Sequence, residues 1–219
     1  MPRQGFRSKL NCWCHRRFAN AFGISVHVFG TPSDKATLFV ANHISWFDIS
    51  AIGGILPVRF LSKIEVRDTP VIGWLASRVG TLYIPRGGKS AAEDANTLMA
   101  NALLQDHHVV LFPEGTTGDG NIKRFHSRLI QSAITAGCVV QPIAIRYPKN
   151  NENNVHPAAL FVGDTTMAQS FKKIMSAPDL VAEVHFLEPV EVTNKNRDEL
   201  AAYAESRVRK VIGNEREAG

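Results

Sequence analysis

The chain has 219 residues, of which 44% are apolar and 21% are charged, which is ordinary for one globular domain that is soluble or peripheral to a membrane. It contains no run of ~18 apolar residues that could span a bilayer and no apolar core of a signal peptide. Three cysteines form no disulfide framework and indicate a reducing compartment. We find no internal repeat and no low-complexity segment.

The net charge of +5 lies entirely in residues 1–33, which contain basic residues and no acidic one. Apolar residues recur in this segment every three to five positions: Phe6, Leu10, Trp13, Cys14, Phe18 and Phe22. This pattern predicts a basic amphipathic helix that lies on an anionic membrane surface. A helix packed on the domain is the alternative, and the two are compatible. We therefore divide the chain into a membrane-interface segment, 1–33, and a catalytic domain, 34–219.

A metal site near Cys12, Cys14 and His15 is the other hypothesis for the first segment, because thiolates and imidazoles bind zinc. The spacing of these residues is too tight, and no second pair of ligands follows them. We expect no metal, and we expect Cys14 to belong to the apolar face of the helix.

Two short apolar runs each precede a polar motif. Thr37–Ala41 leads into Asn42-His43-Ile44-Ser45-Trp46-Phe47-Asp48, and Val109–Phe112 leads into Pro113-Glu114-Gly115-Thr116. Continuous apolar runs of this length are typical of strands buried on both faces of a parallel sheet. Polar residues that follow such strands line the binding crevice of an open α/β sheet. The two motifs therefore predict one site.

The first motif contains a candidate general base. His43 can remove a proton near neutral pH, and Asp48 is placed to hold its tautomer and stabilise the imidazolium. Neither motif contains a cysteine, and no Gly-x-Ser-x-Gly elbow is present. The pair therefore predicts direct deprotonation of a substrate hydroxyl. Acylation of Ser45 is the alternative, and it would give ping-pong kinetics.

Four blocks in this order resemble the glycerolipid (lysophospholipid) acyltransferase family. They are Asn42-His43 with Asp48, then Gly80-Thr81-Leu82-Tyr83-Ile84-Pro85-Arg86, then Phe112-Pro113-Glu114-Gly115-Thr116, then Val140-Gln141-Pro142-Ile143-Ala144. The resemblance extends from Thr37 to Ile145, roughly half of the chain. It implies an α/β fold like that of glycerol-3-phosphate acyltransferase, with a mixed, largely parallel sheet flanked by helices and preceded by the basic helix.

The resemblance also implies roles for individual residues. His43 and Asp48 would be catalytic, with Asn42 and Ser45 supporting them. The acceptor and its phosphate would be bound by Arg86, Glu114, Gly115 and Thr116. We expect the Glu114 carboxylate to meet a substrate hydroxyl or to orient Arg86, because it would repel a phosphate. The backbone amides of the Gly115 turn could bind an anion or a developing oxyanion.

The expected reaction transfers a fatty acyl group from acyl-coenzyme A or acyl-carrier protein to the hydroxyl of a lysolipid, without a metal or an organic cofactor. The bacterial type of the family uses 1-acyl-glycerol-3-phosphate and forms phosphatidic acid for phospholipid biosynthesis. A lyso-ornithine lipid is the rival acceptor, suggested by the stretch from Glu114 to Gly120 and by Phe125-His126-Ser127. We expect a site on the cytoplasmic face of the inner membrane, with peripheral or monotopic attachment.

Two other classes of function remain open. A thioesterase could use the same His-Asp pair to activate water. A non-catalytic membrane- or nucleic-acid-binding module would explain the basic first segment, but it would not explain His43 and Asp48, and the chain has no aromatic-basic pattern of a nucleic-acid fold, so we expect no nucleic-acid partner. The basic patch Lys123–Arg128 could meet an anionic acyl donor or could be solvated surface.

The remaining pattern predicts further elements. Strands are expected at 58–61, 80–86, 139–145 and 181–186, and helices from near Ser45 to Leu56 and at 90–105, 166–175 and 196–213, with another helix ending at Gly137. Residues 148–157, which contain four asparagines, are expected to form a loop.

Overall fold

The computed structural model describes residues 2–64, 67, 81–84, 90–149 and 152–213. For residues 2–8, 63 and 152–154 it describes the backbone only. The helices are α1 (Pro2–Ala21), α2 (Asp48–Gly53), α3 (Ala91–Leu104), α4 (Gln131–Ala136), α5 (Met167–Met175) and α6 (Arg197–Ile212), and a 3₁₀ turn covers Arg128–Ile130. The strands are β1 (Ser25–Phe29), β2 (Thr37–Ala41), β3 (Val58–Lys63), β4 (Leu82–Ile84), β5 (His108–Leu111), β6 (Val139–Arg146), β7 (Pro148–Lys149), β8 (Glu152–Val155) and β9 (Val181–Phe186).

Seven of the strands in the described residues form one sheet in the order β1-β9-β6-β2-β5-β3-β4. All neighbours are parallel except β6 and β9. This is the mixed, largely parallel α/β sheet that the resemblance implied. Strand β2 lies between β5 and β6, and all five of its residues are buried. The carboxyl ends of β2, β5 and β6 therefore meet at one edge of the sheet.

Each face of the sheet carries an apolar core. One face packs on residues from α1, α2 and α5, and the other packs on residues from α3, α4 and α6. Alternate side chains of β2 divide between them: Phe39 lies in the first core, and Leu38 and Val40 lie in the second. Burying each such side chain contributes about 1.5–3 kcal/mol. The continuous apolar run that predicted β2 thus reflects helices on both faces.

Two parts of the chain differ from the sequence-based expectation. Strand β1, which lies inside the 1–33 segment, was not predicted; it pairs in parallel with β9 at the edge of the sheet. Its sequence, Ser-Val-His-Val-Phe, alternates only weakly between polar and apolar residues, and most of its side chains are exposed. It therefore lacks the continuous apolar run that is typical of a buried strand. Residues 148–157 were predicted as a loop, but they contain the antiparallel hairpin of β7 and β8. The asparagines of β8 are typical of loops, so the sequence pattern did not predict a strand there.

Helix α1 packs on the domain along one side, which is the second of the two alternatives considered for the first segment. Its residues Cys12, His15 and Ala19 are buried against the domain. The His15 ring lies against α2, where a methyl group on Gly53 would come within 2.7 Å of it, and burial lowers the pKa of His15 to about 4. On the other side, Trp13 and Leu10 stay about half exposed. The apolar residues of α1 therefore do not form one face: some pack on the domain, and Leu10 and Trp13 are exposed to solvent. None of the described helices is long and apolar enough to cross a membrane.

An aromatic cluster joins α1 to the motif that follows β2. The rings of Phe18 and Phe22 lie 6.0 and 5.7 Å from the ring of Trp46, and Phe171 of α5 lies 4.8 Å from it. The indole N–H of Trp46 donates to the Ser170 hydroxyl at 2.9 Å. Edge-to-face contacts of this kind stabilise packing beyond the area they bury. The end of α1 is thus part of the support of the polar motif.

Candidate active site

The polar motif after β2 folds around one carboxylate. Asp48 begins α2 and is fully buried. Its Oδ2 atom is hydrogen-bonded to His43 Nδ1 at 2.8 Å. The same oxygen accepts the backbone amides of Ile44 and Ser45 at 2.8 and 3.0 Å. These bonds close residues 43–48 into a tight turn, so the spacing of His43 and Asp48 is what allows the contact. Because Nδ1 faces Asp48, Nε2 is the ring nitrogen that can take a proton from a substrate.

Tyr147 is a member of the site that sequence reasoning missed. Its hydroxyl donates to Oδ1 of Asp48 at 2.5 Å, so both carboxylate oxygens are bonded. The side chain is fully buried, and burial next to Asp48 raises the pKa of Tyr147 well above its ordinary value, which keeps the hydroxyl protonated as a donor. Tyr147 directly follows β6, whose carboxyl end lies beside that of β2. This position after a predicted strand was the only feature of the sequence that could have indicated a place in the site.

Asn42 fixes the end of β6 to the end of β2. Its side-chain amide donates to the carbonyl of Ile145 at 3.0 Å and accepts the amide of Ile145 at 2.8 Å. This reciprocal pair holds Tyr147 opposite Asp48. Ser45 is fully buried, and its hydroxyl accepts the Phe47 amide at 3.4 Å. Ser45 therefore lies within the turn and Asn42 directly before it, and the burial of Ser45 does not favour its alternative role as a nucleophile.

Glu114 joins the second motif to the first. Its carboxylate is buried and accepts the backbone amide of His43 at 2.9 Å with one oxygen and the amide of Lys123 at 3.0 Å with the other. Gly118 donates its amide to the His43 carbonyl at 2.7 Å, so the backbone of His43 is held on both sides. Burial raises the pKa of Glu114, while the two amide bonds oppose that shift. Both oxygens are thus occupied within the protein.

Gly115 and Thr116 are exposed at the tip of the turn after β5. Gly115 has a φ of 73°, a left-handed conformation that favours glycine, and its amide donates to the Phe112 carbonyl at 3.1 Å. That amide is therefore used within the turn. The Phe112 ring stacks on the His43 ring with 4.1 Å between centroids, which limits the rotation of the imidazole. Arg86, predicted to bind the phosphate, lies outside the described residues.

The comparisons with known proteins agree on one family. The model of the family named Acyltransferase matches residues 25–146, more than half of the chain. The chain belongs to this acyltransferase family. The match includes every strand end that builds the site, from the end of β2 to the end of β6.

The relatives of this acyltransferase include proteins named for two different activities. It is 37% identical over 204 residues to a lyso-ornithine lipid O-acyltransferase of Pseudomonas aeruginosa, covering 93% of this chain and 78% of that one. It is 32% identical over 162 residues to a 1-acyl-sn-glycerol-3-phosphate acyltransferase of Neisseria gonorrhoeae, covering 72% of this chain and 63% of that one. Both names describe transfer to a lysolipid, so this chain is an acyltransferase of lysolipid type.

A solved structure confirms the fold of the acyltransferase. The crystal structure of the 1-acyl-sn-glycerophosphate (LPA) acyltransferase PlsC from Thermotoga maritima matches with a TM-score of 0.66. The match covers 94% of this chain and 78% of that chain at 23% sequence identity. The α/β architecture expected from the sequence is therefore confirmed.

We expect Glu114→Gln to lower kcat/KM about tenfold while the protein remains folded. A glutamine offers one acceptor oxygen for two amides, so one backbone donor at His43 or Lys123 faces an NH₂ group, which costs about 1–3 kcal/mol. The measurement is acyl transfer together with urea unfolding. Glu191→Gln, at an exposed carboxylate, is the matched control. Unchanged kinetics in Glu114→Gln would show that this clamp is not needed.

Proposed function

We propose that this acyltransferase moves a fatty acyl group from a thioester to the hydroxyl of a lyso-ornithine lipid, with His43 as general base. The bond between His43 Nδ1 and Asp48 at 2.8 Å carries the chemical part of the proposal. The hydroxyl proton passes to Nε2 while the oxygen forms a bond to the thioester carbon. The C–S bond then breaks, and sulfur leaves with the electron pair as a thiolate, to which the imidazolium can return the proton.

The buried carboxylate makes this step easier. Asp48 stabilises the imidazolium as it forms, and the Tyr147 hydroxyl and two amides keep the carboxylate in place. General-base catalysis of this kind is typically worth 10²- to 10⁴-fold in rate. The rest of the acceleration must come from positioning and from electrostatic stabilisation of the transition state.

The loop beside His43 supports the choice of an acceptor with an amine. Thr117 and Asp119 follow the second motif, and the Asp119 carboxylate is exposed and accepts the amide of Asn121 at 3.1 Å. Hydrogen bonds from Asn121 lower the pKa of Asp119, which keeps it negative. Gly118, between Thr117 and Asp119, donates to the His43 carbonyl, so Asp119 directly follows a residue that contacts the His43 backbone, and the Lys123 ammonium also contributes to the low pKa of Asp119. A negative group favours the ammonium of an ornithine head group over a phosphate.

The names and coverage of relatives support the same choice. Relatives named lyso-ornithine lipid O-acyltransferase match over 93% and 96% of this chain. 1-Acyl-glycerol-3-phosphate, the acceptor that the sequence analysis placed first, is the second candidate. It is supported by the Neisseria relatives, and the expected role of Arg86 as a phosphate ligand belongs to it.

The acceptor is tested by supplying lyso-ornithine lipid and lysophosphatidic acid to the purified protein with long-chain acyl-coenzyme A or acyl-carrier protein. We expect ornithine lipid by mass spectrometry and a kcat/KM at least tenfold higher with the lyso-ornithine acceptor. Asp119→Asn should reduce that preference, because it removes the charge and keeps a side chain of the same shape. Preference for lysophosphatidic acid in the wild-type protein would favour the second candidate.

We further propose that α1 contacts the anionic cytoplasmic surface of the membrane. Leu10 and Trp13 are exposed on one side of the helix, and the Arg17 guanidinium lies 5.6 Å from the centre of the Trp13 ring. Aromatic and aliphatic groups next to cations suit the headgroup region. This surface would bring the protein to its lipid acceptor.

The double substitution Leu10→Ser and Trp13→Ser should weaken binding to anionic phospholipid vesicles about tenfold or more. Full burial of one large side chain contributes about 1.5–3 kcal/mol, and about half of each of these two is exposed and free to enter the membrane interface. Co-sedimentation at two salt concentrations measures this, and binding should weaken at the higher one. Leu104→Ser, which alters an exposed leucine of α3, is the control. Equal vesicle binding by both variants would contradict a role of α1.

A further inference from the structure

A cavity of about 760 Å³ lies next to the candidate active site, and nothing described so far uses it. It reaches the site through Phe112, whose ring stacks on His43, and through Gly115. Its interior is mainly apolar, with Ile84, Ala95, Leu111, Phe112, Phe125 and Ala201 among the lining residues. The cavity therefore begins at the ring that stacks on His43.

Residues 124–128 of the basic patch form one wall of the cavity, and the backbone of the patch is firmly anchored. Three successive anchors are the amides of Lys123, Phe125 and His126, which donate to Glu114, Glu205 and the Pro113 carbonyl at 3.0, 2.8 and 3.1 Å. The patch therefore runs alongside the turn that carries Glu114. Since the backbone is fixed, the positions from which its side chains extend are fixed as well.

The charges on this wall are unbalanced. Arg124, Arg128 and Arg197 line the cavity with exposed side chains, and none of the three has an ion pair with another described residue. The acidic lining residues have partners within the protein: Glu205 pairs with Arg209 at 2.8 Å, and Asp198 accepts the hydroxyl of Ser127, which also lines the cavity. Among the described lining residues, three guanidinium groups thus stand against one carboxylate, that of Asp198, which has no cationic partner.

We propose that this cavity binds the phosphate end of the acyl donor, with Arg124 and Arg128 as its ligands. The donor of the proposed function carries a phosphopantetheine arm, whether it is acyl-coenzyme A or acyl-carrier protein. Guanidinium groups bind phosphate oxygens in a bidentate manner. The uncharged pantetheine arm then lies along the apolar lining and leads to Phe112 and His43. This inference rests on the proposed function.

The donor fits this wall better than the acceptor does. The head group of a lyso-ornithine lipid is zwitterionic, so an arginine-rich rim would attract its carboxylate but repel its ammonium, with little net gain. The phosphate end of the donor is purely anionic. The two substrates would therefore approach His43 from different sides, the donor from Arg124 and Arg128 and the acceptor from the loop with Asp119.

The test compares the double variant Arg124→Glu, Arg128→Glu with Lys172→Glu, Lys173→Glu, a control that makes the same change of charge at exposed lysines of α5. Three donors carry the same acyl chain: the coenzyme A thioester, the carrier-protein thioester and the N-acetylcysteamine thioester, which lacks a phosphate. We expect the KM for the first two to rise about tenfold or more, because a charge-assisted hydrogen bond is worth about that factor. The KM for the third donor and for the acceptor should stay unchanged, and so should all values in the control.

Several results would overturn the proposal. They are an equal loss with the N-acetylcysteamine thioester, a rise only in the KM for the acceptor, and a rise with the carrier protein alone, which would indicate contact with the acidic carrier surface and not with the phosphate. A direct measurement separates this proposal from the proposed function. Binding of an unreactive thioether analogue of acyl-coenzyme A needs no acceptor, so its loss in the variant would support the donor site even if the assigned acceptor is wrong.

Discussion

Replacing His43 by alanine should reduce acceptor-dependent thiol release from a long-chain acyl thioester about 10³-fold. The imidazole is the group expected to remove the hydroxyl proton, and a general base is typically worth 10²- to 10⁴-fold. The KM values should change little, and the melting temperature should fall only slightly, since the side chain is partly exposed and contacts mainly Asp48 and Phe112.

His27→Ala is the matched control, because it removes an exposed imidazole from β1 without approaching the site. A His43→Ala protein that keeps a third or more of the wild-type rate would contradict the assignment. Thiol release by the wild-type protein that does not depend on any lysolipid would instead indicate a thioesterase.

Asp48→Asn should have a loss of the same order as His43→Ala, with kcat falling about 10²- to 10⁴-fold. The asparagine has one acceptor oxygen where the carboxylate serves His43, Tyr147 and two backbone amides, and its NH₂ group favours the wrong tautomer of His43. Because these donors are buried, each one left unpaired costs about 1–3 kcal/mol, so the free energy of unfolding should fall as well.

The variants are compared by single-turnover kinetics and by urea unfolding, with Asp164→Asn on the exposed loop as the control. Tyr147→Phe removes one of the four donors and should reduce kcat less than Asp48→Asn does. An Asp48→Asn protein with near-normal kcat would show that the proton is not transferred through this pair.

The sequence predicted the strands, turns and helices that depend on residues close together in the chain. Strand β2 and most of β5 were visible as continuous apolar runs, and the tight turn that joins His43 to Asp48 depends only on residues within six positions. Helix α6 was equally legible, because Asn196 and Glu199 form a capping box at its start and Gly213 ends it in a left-handed conformation. Such signals depend on backbone geometry and not on distant parts of the chain.

Contacts across long separations in the chain could not be predicted in the same way. Tyr147 reaches Asp48 across 99 positions, and Glu114 reaches the amide of His43 across 71. The sequence analysis therefore expected the Glu114 carboxylate to face a substrate or Arg86, while in the fold both of its oxygens accept backbone amides. A side chain after a strand can be placed at the sheet edge, but its partner depends on how neighbouring strands are ordered.

The aromatic cluster of Phe18, Phe22, Trp46 and Phe171 has a geometrical consequence. Trp46 lies three positions after His43, so the end of α1 and the turn that carries the imidazole share one set of ring contacts. A rotation of α1 would have to break those contacts and disturb the turn. The exposed side of α1 and the Nε2 lone pair consequently keep a fixed angle, and any surface on which the helix rests sets the direction from which a lipid hydroxyl meets the base.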